Sequence, residues 1–176
     1  MHKQMAKLHS GVSSAIGETR LEQLTLRPEG KWSAAEILEH LNLTYLGTIK
    51  TLERRLAEGK APATSGRSAK RWQRLAVTRL GFFPSGRKSP ERAAPRGMPA
   101  QQVMAEILGN LARMDELITE CERKFSPHHP IAEHPILGPL TAAEWRGFHR
   151  THGRHHIKQV EALKKRFYSS AESGAP

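Results

Sequence analysis

The feature that most constrains the fold is a spacing of three and four residues between apolar side chains, sustained over long stretches of this 176-residue chain. Such spacing is typical of helices that bury one face. It predicts four main helices, at residues 3–24 with a break near Gly17, 33–58, 99–124 and 141–168. No run that alternates apolar and polar residues between turns competes with them. We therefore predict an all-α fold, specifically a four-helix bundle.

Two short motifs mark where helices begin. Ser33 with Glu36, and Thr141 with Glu144, have the three-residue spacing of a capping box. In that motif the hydroxyl and the carboxylate each bind a free backbone N–H at the start of a helix. Gly59 is the expected end of the second helix, because glycine readily adopts the left-handed conformation that closes helices.

A long connection separates the second and third helices, and it holds most of the net positive charge. Residues 60–96 carry ten of the 28 Lys and Arg residues and one acid, Glu91, which places +9 of the net charge of +11 in this segment. The basicity therefore belongs to the crossover and not to a face of the bundle. A short helix is predicted within residues 68–83. The prolines that interrupt the crossover are Pro62, Pro84, Pro90 and Pro95.

The basic crossover supports two interpretations. It contains the residue types that contact phosphates and stack on bases, namely Lys70, Arg71, Trp72, Arg74 and Arg79. Charged connections are otherwise commonly solvated, and this one has no recognised nucleic-acid-binding motif. Nucleic acid is therefore not expected as a partner. A milder role for the same arginines is recognition of a carboxylate-bearing thiol cofactor.

Cysteine content and hydropathy indicate where such a chain resides. Cys121 is the only cysteine, which excludes an internal disulfide framework and suits a reducing cytoplasm. We expect this residue to be buried or half-buried in a helix. No apolar stretch approaches the roughly 18 to 20 residues that a membrane-spanning helix needs. We expect a cytoplasmic protein with no membrane partner, one domain at residues 1–168 and a disordered tail at residues 169–176.

Four histidines lie close together in the segment FHRTHGRHHIKQ, residues 148–159. Steps of four from the start of this segment reach His152 and His156, which therefore occupy the apolar stripe of the fourth helix. His149 and His155 lie about 100° away, toward the edge of that stripe. Two imidazoles four residues apart on one face can bind one metal ion. Buried histidines with other partners, or a hydrated helix face, are the alternative interpretation.

A third imidazole comes from His40, on the inward side of the second helix beside Leu41. Facing helices of a bundle can bring such side chains together near its axis. Three neutral imidazoles with an open position are typical of catalytic metal sites, whereas closed zinc sites usually use cysteines. We predict a divalent metal, zinc or nickel, since imidazole suits both. Gln159 is either a hydrogen-bond partner of a ligating imidazole or its bound water, or a polar residue at the edge of the stripe.

Several motifs resemble those of the DinB-like (YfiT-like) superfamily. They are Trp32-Ser33, Glu39-His40-Leu41, His134-Pro135, Gly138-Pro139-Leu140, Trp145 and the run from His152 to Gln159. The resemblance spans Trp32 to Leu163 and includes the proline-rich basic crossover. It implies a four-helix bundle of unusual up-and-down topology, often found as a homodimer. It also implies a divalent metal held by three histidines, which map onto His40, His152 and His156.

The chain departs from the superfamily pattern in its additional histidines, which are His128, His129, His134, His149 and His155. His149 and His155 are the alternate candidates for the ligand set, although helical phase favours His156 over His155. Residues 125–139 are expected to form a proline-broken loop. We expect the three histidines of that loop to be partly exposed and to take part in turns. The alternative is that they face the substrate or serve as alternate metal ligands.

The resemblance implies a metal-dependent enzyme that acts on a small molecule. One version is a thiol-dependent S-transferase that uses a low-molecular-weight thiol, and another is a hydrolase that activates water. The alternative is a non-catalytic metal-containing protein whose basic crossover binds an anion or nucleic acid. A purely structural ion is a third possibility. No paired carboxylates and no Ser/His/Asp arrangement indicate a different catalytic centre, and the sequence identifies no general base.

Overall fold

The computed structural model describes residues 1–17, 19–62, 70–82 and 90–172 of the chain. Six α-helices and one two-stranded hairpin are the main elements of these residues. In chain order they are α1 (Lys3–Gly17), α2 (Leu21–Thr25), α3 (Ala34–Glu58), α4 (Arg71–Thr78), α5 (Ala100–Phe125), β1 (Pro130–His134), β2 (Gly138–Thr141) and α6 (Ala142–Glu172). A 3-10 turn at Glu91–Ala93 precedes α5.

The four long helices α1, α3, α5 and α6 form the predicted bundle. Helix α3 packs mainly against α5, and α1 packs mainly against α6. Helix α1 approaches α6 closely at Gly153, where a Cβ atom would collide with the side chain of Leu8. The all-α bundle is therefore confirmed. The predicted apolar stripe of α5 is buried, and its members are Val103, Ile107, Leu111, Met114 and Ile118.

Both predicted capping boxes are present. Glu36 N–H donates to Ser33 Oγ at 3.2 Å, and Ser33 N–H donates to Glu36 Oε2 at 2.7 Å. The corresponding distances in the Thr141–Glu144 pair are 3.3 and 2.8 Å. Helix α3 ends at Glu58 and is capped by Gly59, whose φ of 68° lies in the left-handed region as expected. These local rules set the start of both helices that carry the histidines of interest.

The loop predicted for residues 125–139 is wrong in part, because an antiparallel hairpin forms there. Strand β1 pairs with β2 from Pro130↔Thr141 to His134↔Gly138. Prolines in and beside the strands hide the alternating pattern in the sequence. They are compatible with a two-stranded sheet because both strands are edges, where an N–H can be missing. The hairpin buries Ile131, Ala132 and Leu140 in the core.

The short helix predicted in the crossover corresponds to α4, which packs on α6. Its inner face buries Val77 and Thr78, and a Cβ atom at Gly147 of α6 would collide with the Thr78 carbonyl oxygen. Trp72 lies on the outer face and is 77% exposed. Residues 63–69 and 83–89, which include other parts of the basic crossover, lie outside the described residues.

Helix α6 extends to Glu172, beyond the predicted end near Tyr168, since no glycine or proline interrupts it before Gly174. The assignment of one domain to residues 1–168 stays a prediction. The same holds for the disordered tail, of which residues 173–176 lie outside the described part of the chain. None of the described helices combines the length and hydropathy needed to cross a membrane.

A buried ionic network that the sequence did not reveal joins α5 and α6. Arg146 donates to Asp115 Oδ1 at 3.1 Å and to Glu122 Oε2 at 2.8 Å. The backbone N–H of His2 donates to Asp115 Oδ2 at 2.6 Å, which also ties down the start of α1. Arg146 and Asp115 are 3% and 1% exposed, so each charge depends on the other for its solvation.

Candidate metal centre

Three histidine side chains meet between α3 and α6. The Nε2 atom of His152 lies 3.1 Å from Nε2 of His40 and 3.1 Å from Nε2 of His156. One nitrogen from each ring lies within 4.8 Å of the other two. His152 and His156 are one turn apart on α6, and His40 faces them from α3. The structure thus brings together the three residues that helical phase had selected.

Hydrogen bonds set the tautomers of two of these rings. His40 Nδ1 lies 2.6 Å from the Ala93 carbonyl oxygen, which can only accept, so Nδ1 carries the proton. His156 Nδ1 lies 2.7 Å from Gln159 Oε1 and likewise donates. A neutral imidazole that donates through Nδ1 presents a lone pair at Nε2. Both lone pairs therefore point toward Nε2 of His152.

The amide of Gln159 is itself oriented by a neighbour. Gln159 Nε2 lies 3.3 Å from Nε2 of His155, so the amide nitrogen faces His155 and the amide oxygen faces His156. His155 is half-buried at the edge of the stripe, where the sequence placed it. His155 contacts Gln159, the hydrogen-bond partner of His156, and does not belong to the triad.

At neutral pH, protons do not occupy the imidazole lone pairs of the three histidines. Burial, followed by the neighbouring His40, lowers the pKa of His156 to about 3, against a raising effect of its hydrogen bond to Gln159. Burial also lowers the pKa of His40, against a smaller raising effect of its bond to Ala93. The pKa of His152 is well below its ordinary value because of burial and then the adjacent imidazoles. All three rings are therefore neutral at neutral pH.

This donor set fits a divalent metal ion. The ligand nitrogens of a tetrahedral zinc, with bonds of about 2.0–2.1 Å, stand about 3.3 Å apart, close to the two Nε2 separations. Facing lone pairs repel each other unless a proton or a cation lies between them. Among the described residues, the cluster offers three ligands, so a four-coordinate ion would keep one position open.

Aromatic side chains enclose the triad. The Trp32 ring packs on His40 with a centroid separation of 5.4 Å. The Phe148 ring stacks on His152 at 5.3 Å with an interplanar angle of 11°. Such contacts restrict the ring orientations, which helps to keep the Nε2 atoms directed toward one another.

His149 lies deeper in the fold than its helical phase predicts. His149 was expected at the helix edge, but it is 0% exposed. Its Nε2 lies 3.1 Å from Thr48 Oγ1, and its ring stacks on Trp145. The buried arc of α6 is wider than one stripe, because α1, α3, α4 and the hairpin all pack on this helix. His149 does not join the triad.

The histidines of residues 125–139, the segment predicted as a loop, also lie apart from the triad. His128 is exposed and His129 is half-buried. His134, expected to be partly exposed, is 8% exposed and packs against Phe148. Its Nδ1 accepts the N–H groups of Ile136 and Leu137, each at 3.1 Å, and so shapes the hairpin turn. For His134 the expected turn role is correct and the expected exposure is wrong, whereas His128 and His129 have the expected exposure.

An open groove borders the triad. Its volume is about 410 Å³, and it lies between the approach to α3 and the second half of α6. Trp32 and Gln159 line it, and these residues contact His40 and His156 respectively. Among the residues that the structure describes, two cationic side chains line the groove and no acidic side chain does. The other lining residues are Lys31, Ile37, Ala162, Leu163 and Arg166.

Residues 3–163 match the model of a family described as a protein of unknown function, DUF1569. The chain belongs to the DUF1569 family. No protein with a curated description matches the DUF1569 chain.

A solved structure of YfiT from Bacillus subtilis, described as a probable metal-dependent hydrolase with an unusual four-helix bundle topology, is similar to the DUF1569 chain. The TM-score is 0.58 at 16% sequence identity, and the match covers 93% of this chain and 83% of that one. At this identity the likeness shows the fold alone. It confirms the four-helix bundle fold that the motifs implied.

Proposed function

We propose that this DUF1569 protein is a metal-dependent hydrolase with His40, His152 and His156 as its metal ligands. The observation that carries the proposal is the convergence of three neutral Nε2 atoms, two of them with tautomers set by Ala93 and Gln159. When bound, a divalent metal supplies Lewis-acid chemistry and lowers the pKa of a coordinated water. Zinc and nickel are both proposed, since three imidazoles suit either.

The chain's own residues orient and shield this centre. Ala93 and Gln159 hold the two outer rings through their Nδ1 atoms. Trp32 and Phe148 cover the faces of His40 and His152. A ligand fixed in this way loses little freedom on binding the ion, which favours affinity and a single geometry.

The groove beside the triad is the proposed substrate site. Its walls combine the apolar side chains of Trp32, Ile37 and Leu163 with the cationic Lys31 and Arg166. A small molecule with an apolar body and an anionic end matches this lining. The hydrolysable bond would lie near Trp32 and Gln159, the two lining residues that contact the triad.

The thiol-dependent transfer implied by the superfamily resemblance stays a prediction. The open coordination position that would take water would equally take a low-molecular-weight thiol. The two versions differ in their requirement for a second reactant. A hydrolase would convert a carboxylated aryl ester in buffer and zinc alone, whereas a transferase would need added thiol.

Other expectations for partners also remain proposals. A homodimer and a cytoplasmic location are proposed from the resemblance and from the single buried Cys121. The alternative in which the crossover binds an anion or nucleic acid without catalysis predicts salt-dependent binding to DNA. If the protein bound no DNA at either low or high salt, that alternative would be excluded.

Metal analysis of matched variants tests the proposed ligands. The wild-type protein should bind one zinc per chain, and His40→Ala or His152→Ala should weaken binding by more than about 100-fold. His128→Ala removes an exposed imidazole outside the triad and should bind zinc normally. Unchanged zinc affinity in His40→Ala would contradict the proposed site.

A further inference from the structure

Glu39 is a buried carboxylate next to the proposed ligand His40. It is 1% exposed and lies within α3. A carboxylate removed from water is costly unless hydrogen bonds replace its solvation. Glu39 meets this need with two consecutive backbone amides. Arg96 N–H donates to its Oε1 at 2.7 Å, and Gly97 N–H donates to its Oε2 at 3.2 Å.

The backbone held by Glu39 also contacts His40. Within the segment from Ala93 to Gly97, the Ala93 carbonyl oxygen accepts the proton of His40 Nδ1 at 2.6 Å. Two neighbouring side chains of α3 therefore bind the same short segment at both its ends. Its regular structure is limited to the three-residue 3-10 turn at Glu91–Ala93, so these contacts are well placed to set its position.

Gly97 makes the double contact possible. Its φ of 84° lies in the left-handed region, where glycine carries no steric penalty. Successive backbone N–H groups turn toward one acceptor in conformations of this kind, as in other anion-binding backbone concavities. Any other residue at this position would strain the turn that aims the two amides at Glu39.

We propose that Glu39 is a positioning residue for His40: by holding the amides of Arg96 and Gly97, it keeps the Ala93 carbonyl on Nδ1 of His40 and so keeps the Nε2 lone pair directed at the metal position. This inference rests on the proposed metal site. Glu39 itself touches neither the substrate groove nor the triad's Nε2 atoms, and it acts through the backbone.

The test uses Glu39→Gln in the full-length protein. Gln keeps one acceptor oxygen but turns an NH2 donor toward the second backbone amide, so the clamp is half lost. In the metal-free protein, we expect faster deuterium exchange at the amides of Arg96 and Gly97. We also expect 15N NMR to show His40 shifting from the Nδ1–H tautomer to a mixture of both tautomers. Zinc affinity should fall by about 10- to 100-fold.

Two further variants separate positioning from general stability. Glu122→Gln makes the same chemical change at a carboxylate bound to Arg146, and it should leave the His40 tautomer and the zinc affinity unchanged. Gly97→Ala disturbs the same contacts from the backbone side and should reproduce the effects of Glu39→Gln. It also provides the test if Glu39→Gln folds poorly.

The outcomes are distinct. A wild-type His40 tautomer in both Glu39→Gln and Gly97→Ala would overturn the inference, as would an equal loss of zinc affinity in Glu122→Gln. The exchange and tautomer measurements need neither metal nor substrate. A protein that failed to hydrolyse esters would therefore refute the proposed function while these two measurements still decided the role of Glu39.

Discussion

Gln159 Oε1 lies 2.7 Å from Nδ1 of His156, and it does so from the wall of the groove that borders the triad. This one amide therefore connects the proposed substrate site to a proposed ligand. Since the Nδ1–H of His156 needs an acceptor, Gln159→Leu should lower zinc affinity by about 10- to 100-fold. Titration with zinc against a competing chelator measures this change.

Gln159→Glu provides the matched control for that prediction. A carboxylate accepts the same proton and increases the basicity of the ligating ring, so zinc affinity should be retained or increased. Weaker binding in Gln159→Glu than in Gln159→Leu would show that the hydrogen bond to His156 is not what supports the ion.

Lys31 should select for anionic substrates through the charge of the groove. Lys31→Glu should lower kcat/KM for a carboxylated aryl ester by about two- to fivefold, the scale of one exposed charge interaction. The neutral ester of the same shape should be little affected. Lys50→Glu, an exposed change in the second half of α3, serves as the control. Equal losses for both esters would argue against a charge-selecting groove.

His149 should make the metal-free protein sensitive to acid. Burial lowers its pKa to about 3, with His134 adding to the shift, whereas an unfolded histidine has a pKa of about 6.5. The unfolded chain therefore binds this proton first. The contribution of neutral His149 to the free energy of unfolding is fully present above about pH 6.5. It falls as the pH decreases toward 3, by up to about 1.4 kcal/mol per pH unit for one proton.

Denaturant unfolding at several pH values, with a chelator present, measures this effect. His149→Asn can still bond Thr48 but does not titrate, so its stability should decrease less steeply between pH 6.5 and 4. His128→Asn changes an exposed imidazole and should leave the slope as in the wild type. A wild-type slope in His149→Asn would show that other groups account for the acid sensitivity.

The Arg146–Asp115 pair should show a large penalty when one partner is removed. Asp115→Ala leaves a 3% exposed guanidinium without its most buried partner and should cost about 3–5 kcal/mol of unfolding free energy. The double variant Asp115→Leu, Arg146→Met removes both charges and should recover most of that loss. Urea unfolding of the single and double variants tests the prediction. A double variant whose loss of unfolding free energy equals the sum of the two single losses would contradict it.

The parts of the structure that local rules govern were predictable from the sequence. The capping boxes at Ser33 and Thr141 depend on residues three apart, and both form as expected. The convergence of His152 and His156 depends on helical phase alone. His40 was accessible to the same reasoning because α3 has one clear apolar stripe.

The parts that depend on packing were not predictable in this way. His149 lies off the main stripe, and its burial arises because several elements cover α6 at once. The partnership of Arg146 with Asp115 joins residues 31 apart and leaves no local pattern. Glu39 stood beside His40 in the sequence, but its binding partners are backbone amides on a distant segment, which no side-chain motif can signal.

The triad joins two points that are far apart along the chain, since His40 and His152 are 112 residues apart. An ion held there would be a cross-link between them, and closing a loop of that size costs an unfolded chain about 4–5 kcal/mol of conformational entropy in the chain-entropy model. In the folded chain the two histidines are already close together. The folded chain should therefore bind the ion far more tightly than the unfolded chain does. The free energy of unfolding would then rise and fall with the free metal concentration around the protein.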